Sequence, residues 1–104
     1  MEQKKETLLI VDDSKLQRVV LMQALKDAFE LIEATSGEEC LELVERGEAQ
    51  IDLVLLDLVM PGIDGFEVLR RRALLPKFAG IPVVALTTSD DDETQVEAEP
   101  VSNA

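Results

Sequence analysis

Thr7-Leu8-Leu9-Ile10-Val11 is an unbroken apolar run closed by Asp12-Asp13-Ser14, and the fold follows from how it is read. Continuous rather than alternating apolarity is the mark of a strand buried on both faces. Ser14 and Gln17 then stand at capping-box spacing, and apolar residues recur at helical intervals through Leu16, Val19, Val20, Ala24, Leu25 and Ala28 as far as Phe29. Working outward, Leu31-Ile32-Glu33-Ala34 reads as a shorter strand. Ser36 with Glu39 opens a helix through Cys40, Leu41, Leu43 and Val44 that Gly47 ends. Ile51 to Leu56 is a second buried-type run, and it delivers Asp57 at its end. The glycines and proline of Met60-Pro61-Gly62-Ile63-Asp64-Gly65 make a loop, and Asp64 with Glu67 caps a third helix. Ile81-Pro82-Val83-Val84-Ala85-Leu86 is the next buried strand, ending in Thr87-Thr88-Ser89.

Strands alternating with helices at this spacing require right-handed crossovers and a mostly parallel sheet covered on both faces. The expectation is an α/β fold, an open doubly wound sheet, formed by residues 1–104 as a single domain. After Ser89 the pattern breaks: Asp90 to Glu99 reads as a short acidic helix and Pro100 to Ala104 as a polar tail, with no further buried strand.

Composition narrows the function. Of 104 residues, 22 are acidic and 10 basic, a formal net charge of −12. That balance opposes binding to nucleic-acid backbones or anionic membrane surfaces, where lysine and arginine must neutralise phosphates. Cys40 is the lone cysteine and there is no histidine, so neither an internal disulfide nor imidazole chemistry is available. The charged start MEQKKET is no signal peptide and no apolar run reaches membrane-spanning length, which together suggest a cytoplasmic location.

In sheets of this kind ligands bind outside the carboxyl ends of the strands. Asp12 and Asp13 end the first strand and Asp57 ends the third. With a flavodoxin-like strand order 2-1-3-4 these strands are neighbours, roughly 4.8 Å apart. Three carboxylates so close must either share a proton or surround a cation. An all-oxygen set suits a hard divalent ion, most naturally Mg²⁺, which can clamp phosphoryl oxygens while a carboxylate attacks phosphorus. Thr87 brings a hydroxyl to the same crevice. Taken singly, each acid has an ordinary reading as a turn or capping residue, and Thr87 as a strand end. Acids at the matched ends of two buried strands have no such reading as a set.

Leu8-Leu9-Ile10-Val11-Asp12-Asp13-Ser14, Leu55-Leu56-Asp57-Leu58-Val59-Met60-Pro61-Gly62-Ile63-Asp64-Gly65 and Pro82-Val83-Val84-Ala85-Leu86-Thr87 together resemble the receiver domains of two-component response regulators. The resemblance covers about residues 5–89. It implies that Asp57 is the phosphoacceptor, supplied by a sensor histidine kinase or a phosphotransfer protein. It implies further that Asp12 and Asp13 hold Mg²⁺ together with Asp57 and the backbone carbonyl of Val59. Thr87 corresponds to the switch hydroxyl that reshapes the face around the family's fourth helix, and Thr88 stands where a small residue is usual. Such a domain is a signalling phosphoacceptor and not an enzyme acting on a separate substrate.

Residues 90–104 depart from the pattern. The family's fifth strand ends in Lys-Pro, whereas here Glu99 precedes Pro100 and no lysine follows Lys77. The usual fifth strand and fifth helix are therefore missing, as in a truncation or deletion. Phosphorylation should be slower or weaker without that cation, and Val83–Leu86 should be an exposed apolar edge that promotes a homodimer. A degenerate receiver acting as a phosphorylation-independent interaction or dimerisation module is the alternative function. A Mg²⁺-dependent phosphatase is disfavoured because Val59 stands where its general acid belongs, and a flavin mononucleotide site because Asp12-Asp13 would repel the phosphate.

Overall fold

The computed structural model describes residues 4–86 and 95–98. Along the chain run β1 (Glu6–Val11), α1 (Lys15–Leu25), β2 (Phe29–Ala34), α2 (Gly37–Arg46), β3 (Leu53–Asp57), α3 (Gly65–Arg72), the single turn α4 (Pro76–Ala79), β4 (Val83–Leu86) and β5 (Gln95–Ala98). The sheet order is β2-β1-β3-β4-β5. The first four strands are parallel in the expected order 2-1-3-4, with Val11 level with both Ala34 and Leu56.

Local sequence explains the boundaries. Ser14, Ser36 and Asp64 each adopt extended backbone and accept a hydrogen bond from the N–H three residues on, at Gln17, Glu39 and Glu67. The second box is not fully reciprocal: Glu39 Oε1 accepts from the Thr35 N–H, one residue before the cap. Gly47 ends α2 with φ 64°, a left-handed conformation that a side chain would strain. The first helix is shorter than its apolar pattern suggests. Ala28 lies outside it, and Leu16, Val19 and Val20 are exposed, so the apolar intervals there do not mark the inward face.

One face of the sheet carries the larger core cluster. Leu9, Val11, Val54, Leu56, Val83 and Ala85 pack beneath Cys40 and Val44 of α2, Val68 of α3 and Phe78 of α4. Burial pushes the Cys40 thiol up to about 12, so it is a packing residue without acid–base chemistry. The other face is covered among the described residues by α1 alone. An apolar groove of about 310 Å³ remains there, lined by Leu21 and Leu25 of α1 and by Leu53, Leu55, Val84 and Leu86 of the sheet.

The carboxyl end corrects two expectations. No fifth parallel strand forms among the described residues, but the outer edge of β4 is not bare. β5 pairs with it antiparallel, Leu86 opposite Gln95 and Val83 opposite Ala98. The acidic stretch expected to be helical from Asp90 to Glu99 thus contributes four strand residues. Only eight residues, 87–94, separate the two strands. That is enough to turn back, whereas a parallel return needs a crossover of about a dozen or more. The homodimer expected through an open β4 edge accordingly loses its premise. Asp90–Thr94 and the tail from Glu99 to Ala104 lie outside the described residues.

Candidate functional site

Two strand ends place the acids. β1 stops after Val11 because Asp12 turns toward α1: its N–H still donates to Ala34 O of β2 (3.1 Å), while its Oδ1 accepts from the Ser14 N–H (2.9 Å). At the end of β3, Asp57 Oδ1 accepts from the Val59 N–H (3.0 Å), and the Leu58 N–H donates to Leu86 O of β4. Each carboxylate therefore has one oxygen fixed by its own turn. The Gly65 N–H closes the loop by donating to Leu58 O. A Cβ at Gly65 would lie 2.5 Å from Asp57 O and 2.6 Å from Leu58 Cα, so the residue opening α3 must be glycine for the loop to lie this close.

Asp12, Asp13 and Asp57 converge as the sequence suggested: one carboxylate oxygen from each lies within 4.8 Å of the other two. Asp12 and Asp57 are 3% and 5% exposed, and Asp13 stands at the open side. Burial is the main reason that both inner acids titrate high. Asp57 is pushed up to about 6 by desolvation, helped by the charges of Asp12 and Asp13 and opposed by the Val59 N–H. Asp12 is raised as well, first by desolvation and then by Asp13, against the Ser14 N–H and Arg18.

These acids form an all-carboxylate set with no histidine or cysteine in it, two of them uncomfortable as bare anions. That is what a hard divalent cation relieves, and Mg²⁺, which keeps several waters, does not demand that the protein fill its whole shell. The residues fit the ion. Val59 is exposed, and its N–H faces Asp57. Thr87 and Thr88 lie outside the described residues.

Arg18 has no place in a reading of motifs, yet the structure puts it against the pocket. It is 9% exposed, its Nη1 donates to Asp12 O (2.8 Å), and its Nε pairs with Glu33 Oε1 (2.9 Å). The signal lay in spacing: Arg18 shares its helix stripe with Leu21, Met22 and Leu25, at three, four and seven residues on. An arginine there is easily passed over, because a helix is read by its apolar residues.

Comparison with known proteins is concordant. The family model of the response regulator receiver domain matches residues 8–102. The chain is 36% identical over 85 residues to the transcriptional regulatory protein AfsQ1 of Streptomyces coelicolor, covering 82% of this chain and 36% of that protein. It is 33% identical over 90 residues to protein PilH of Pseudomonas aeruginosa, covering 86% and 73%. The solved structure of the phosphorylated cyanobacterial phytochrome response regulator RcpA superposes with a TM-score of 0.77 at 29% identity, covering 85% of this chain and 69% of that one. The chain thus spans little more than a third of AfsQ1's length. No helix among the described residues is long and apolar enough to cross a membrane.

Proposed function

The chain belongs to the response regulator receiver family, and from that premise we propose that Asp57 accepts a phosphoryl group from a sensor histidine kinase or phosphotransfer protein and thereby switches a partner-binding surface. The observation that carries this reading is the convergence of Asp12, Asp13 and Asp57 at the ends of β1 and β3, with Asp57 buried. The likeness to RcpA, solved in its phosphorylated form, supports it.

In the proposed step the Asp57 carboxylate attacks phosphorus while the bond from phosphorus to the donor's nitrogen breaks, and that nitrogen leaves with the bonding pair. Asp57 must be ionised to attack, and the Val59 N–H favours the ionised form while fixing which oxygen remains free. Mg²⁺ bound by Asp12, Asp13, Asp57 and the Val59 carbonyl would supply the positive charge that offsets these carboxylates and the phosphoryl oxygens. Thr87, the next residue after β4, would donate its hydroxyl to the phosphoryl group. The role is that of a signalling phosphoacceptor in the cytoplasm.

Intact-mass spectrometry after incubation with a small-molecule phosphodonor and Mg²⁺ tests this directly. The parent should gain one phosphoryl group and Asp57→Asn none. A second reading, a module that binds partners without phosphorylation, is favoured by the half-covered sheet face beside α1. It takes the lead if the parent binds Mg²⁺ but gains no mass.

A further inference from the structure

Around Asp12, three hydrogen bonds converge from β2 and from the cap and body of α1. Its N–H is tied to Ala34 of β2, its Oδ1 is held by the Ser14 N–H at the cap of α1, and its carbonyl receives Arg18 from the inward side of α1. Arg18 does not act alone. Its Nε donates to Glu33, the next-to-last residue of β2, so the guanidinium spans from β2 to the turn that follows β1. The bond to Asp12 O is buried. It uses the planar fork of arginine, which presents several donors at fixed angles.

We infer that Arg18 is a positioning residue of the acidic pocket, fixing the backbone of Asp12 so that its carboxylate faces a divalent cation together with those of Asp13 and Asp57. The inference rests on the reading of that pocket as a Mg²⁺ site. Without the guanidinium a buried carbonyl loses its donor, and the turn from Asp12 to Ser14 is freed to rotate about its remaining bonds. Rotation there moves the Asp12 side chain directly. Ser14 meanwhile stays held, because its Oγ and O accept from the N–H groups of Gln17 and Arg18. The loss is therefore focused on the ligand residue and not on the helix start. Supporting groups behind metal ligands commonly set affinity in this way, by about ten-fold or more when removed.

The test titrates Mg²⁺ against the thermal unfolding midpoint of the full chain, which gives a dissociation constant from the increment in stability. A merely structural arginine would lower the midpoint with and without the ion and leave the constant alone. Arg18→Met, which keeps the stem and removes the fork, should weaken Mg²⁺ binding about ten-fold. A constant within about two-fold of the parent overturns the inference, whatever the ion-free midpoint does. If Arg18→Met gives no cooperative transition, Arg18→Lys decides: its single ammonium keeps the charge but not both bonds, so several-fold weaker binding supports the inference and parental binding overturns it. Glu33→Gln leaves the Asp12 bond in place and should bind nearly as the parent does. A loss there equal to that of Arg18→Met would put the role in the ion pair and refute the carbonyl latch. A parent that Mg²⁺ does not stabilise overturns the metal reading of the pocket itself, an outcome visible before any variant is compared.

Discussion

The two faces of the sheet are built from alternate residues of the same strands and end in opposite conditions. Val54 and Leu56 of β3 point into a closed layer under α2, α3 and α4, where Phe78 is fully buried. Leu53 and Leu55, their neighbours in sequence, face a groove that α1 only partly covers. On α1 itself Leu16 is 76% exposed, and Arg18 is its buried residue. Side chains equal in hydrophobicity therefore contribute unequally, because stabilisation follows the area removed from water and the density of packing around it. The covered face holds the larger core cluster, and among the described residues the other face leaves part of its apolar surface uncovered.

The largest expected effect comes from breaking the covered face. Phe78→Ala empties the space that α4 fills between α2 and the sheet, and should cost about 3–5 kcal/mol; Leu56→Ala should cost about 2–5 kcal/mol. A domain of this size has little stability to spare, so Phe78→Ala should leave a substantial unfolded fraction. Urea unfolding followed by far-UV circular dichroism measures both. Losses under about 1 kcal/mol would mean that this face is not the core it looks to be.

Asp57 interrupts the comparison. By the alternation of β3 it sits on the side of Leu53 and Leu55, yet it is 5% exposed. Its folded-state pKa, about 6, lies above the ordinary aspartate value of 3.8. The folded state therefore binds this proton more tightly than the unfolded chain does. Above about pH 6 both states are ionised and the folded state bears the full penalty. As the pH falls through 6 toward 3.8 the penalty is relieved and the ion-free protein gains stability from this group. Asp57→Asn should accordingly stabilise the ion-free protein at pH 7.5, by on the order of 2–3 kcal/mol. The advantage should shrink toward pH 4, and it should also shrink when Mg²⁺ is added to both proteins. Chemical denaturation at the two pH values, with and without the ion, checks each part. Equal stabilities at pH 7.5 would contradict the burial of an ionised carboxylate.

Much of this was legible in the sequence because the controlling residues are local. Continuous apolar runs ending in Asp12-Asp13 and Asp57 gave the parallel strands and their acidic ends, and Ser14, Ser36 and Asp64 marked three helix starts that the structure retains. What was not legible depends on what packs against what. The intervals of Leu16, Val19 and Val20 suited a helix but did not reveal that this side of α1 is open. The run from Gln95 to Ala98 contains good helix formers, yet pairing with the edge of β4 overrides that propensity. Arg18 was invisible as a pocket residue because its partners, Asp12 O and Glu33, are a backbone atom and a strand neighbour brought together only by the β1–β2 pairing.

The smallest expected effects lie on the half-covered face, and they are what sharpen the contrast. Leu55→Ala removes as many carbon atoms as Leu56→Ala from the adjacent position, but among the described residues its groove is open, so water can fill the space left behind. The cavity part of the penalty is then absent and only a fraction of the transfer part remains, so about 1 kcal/mol is expected. Leu16→Ser, at a side chain mostly in water already, should change stability by no more than about 0.5 kcal/mol. Measured beside Leu56→Ala under one set of conditions, the three variants grade the sheet from closed to open. A Leu55→Ala loss as large as that of Leu56→Ala would mean that in solution the groove is filled, because only a covered leucine can leave a dry cavity when it is cut back.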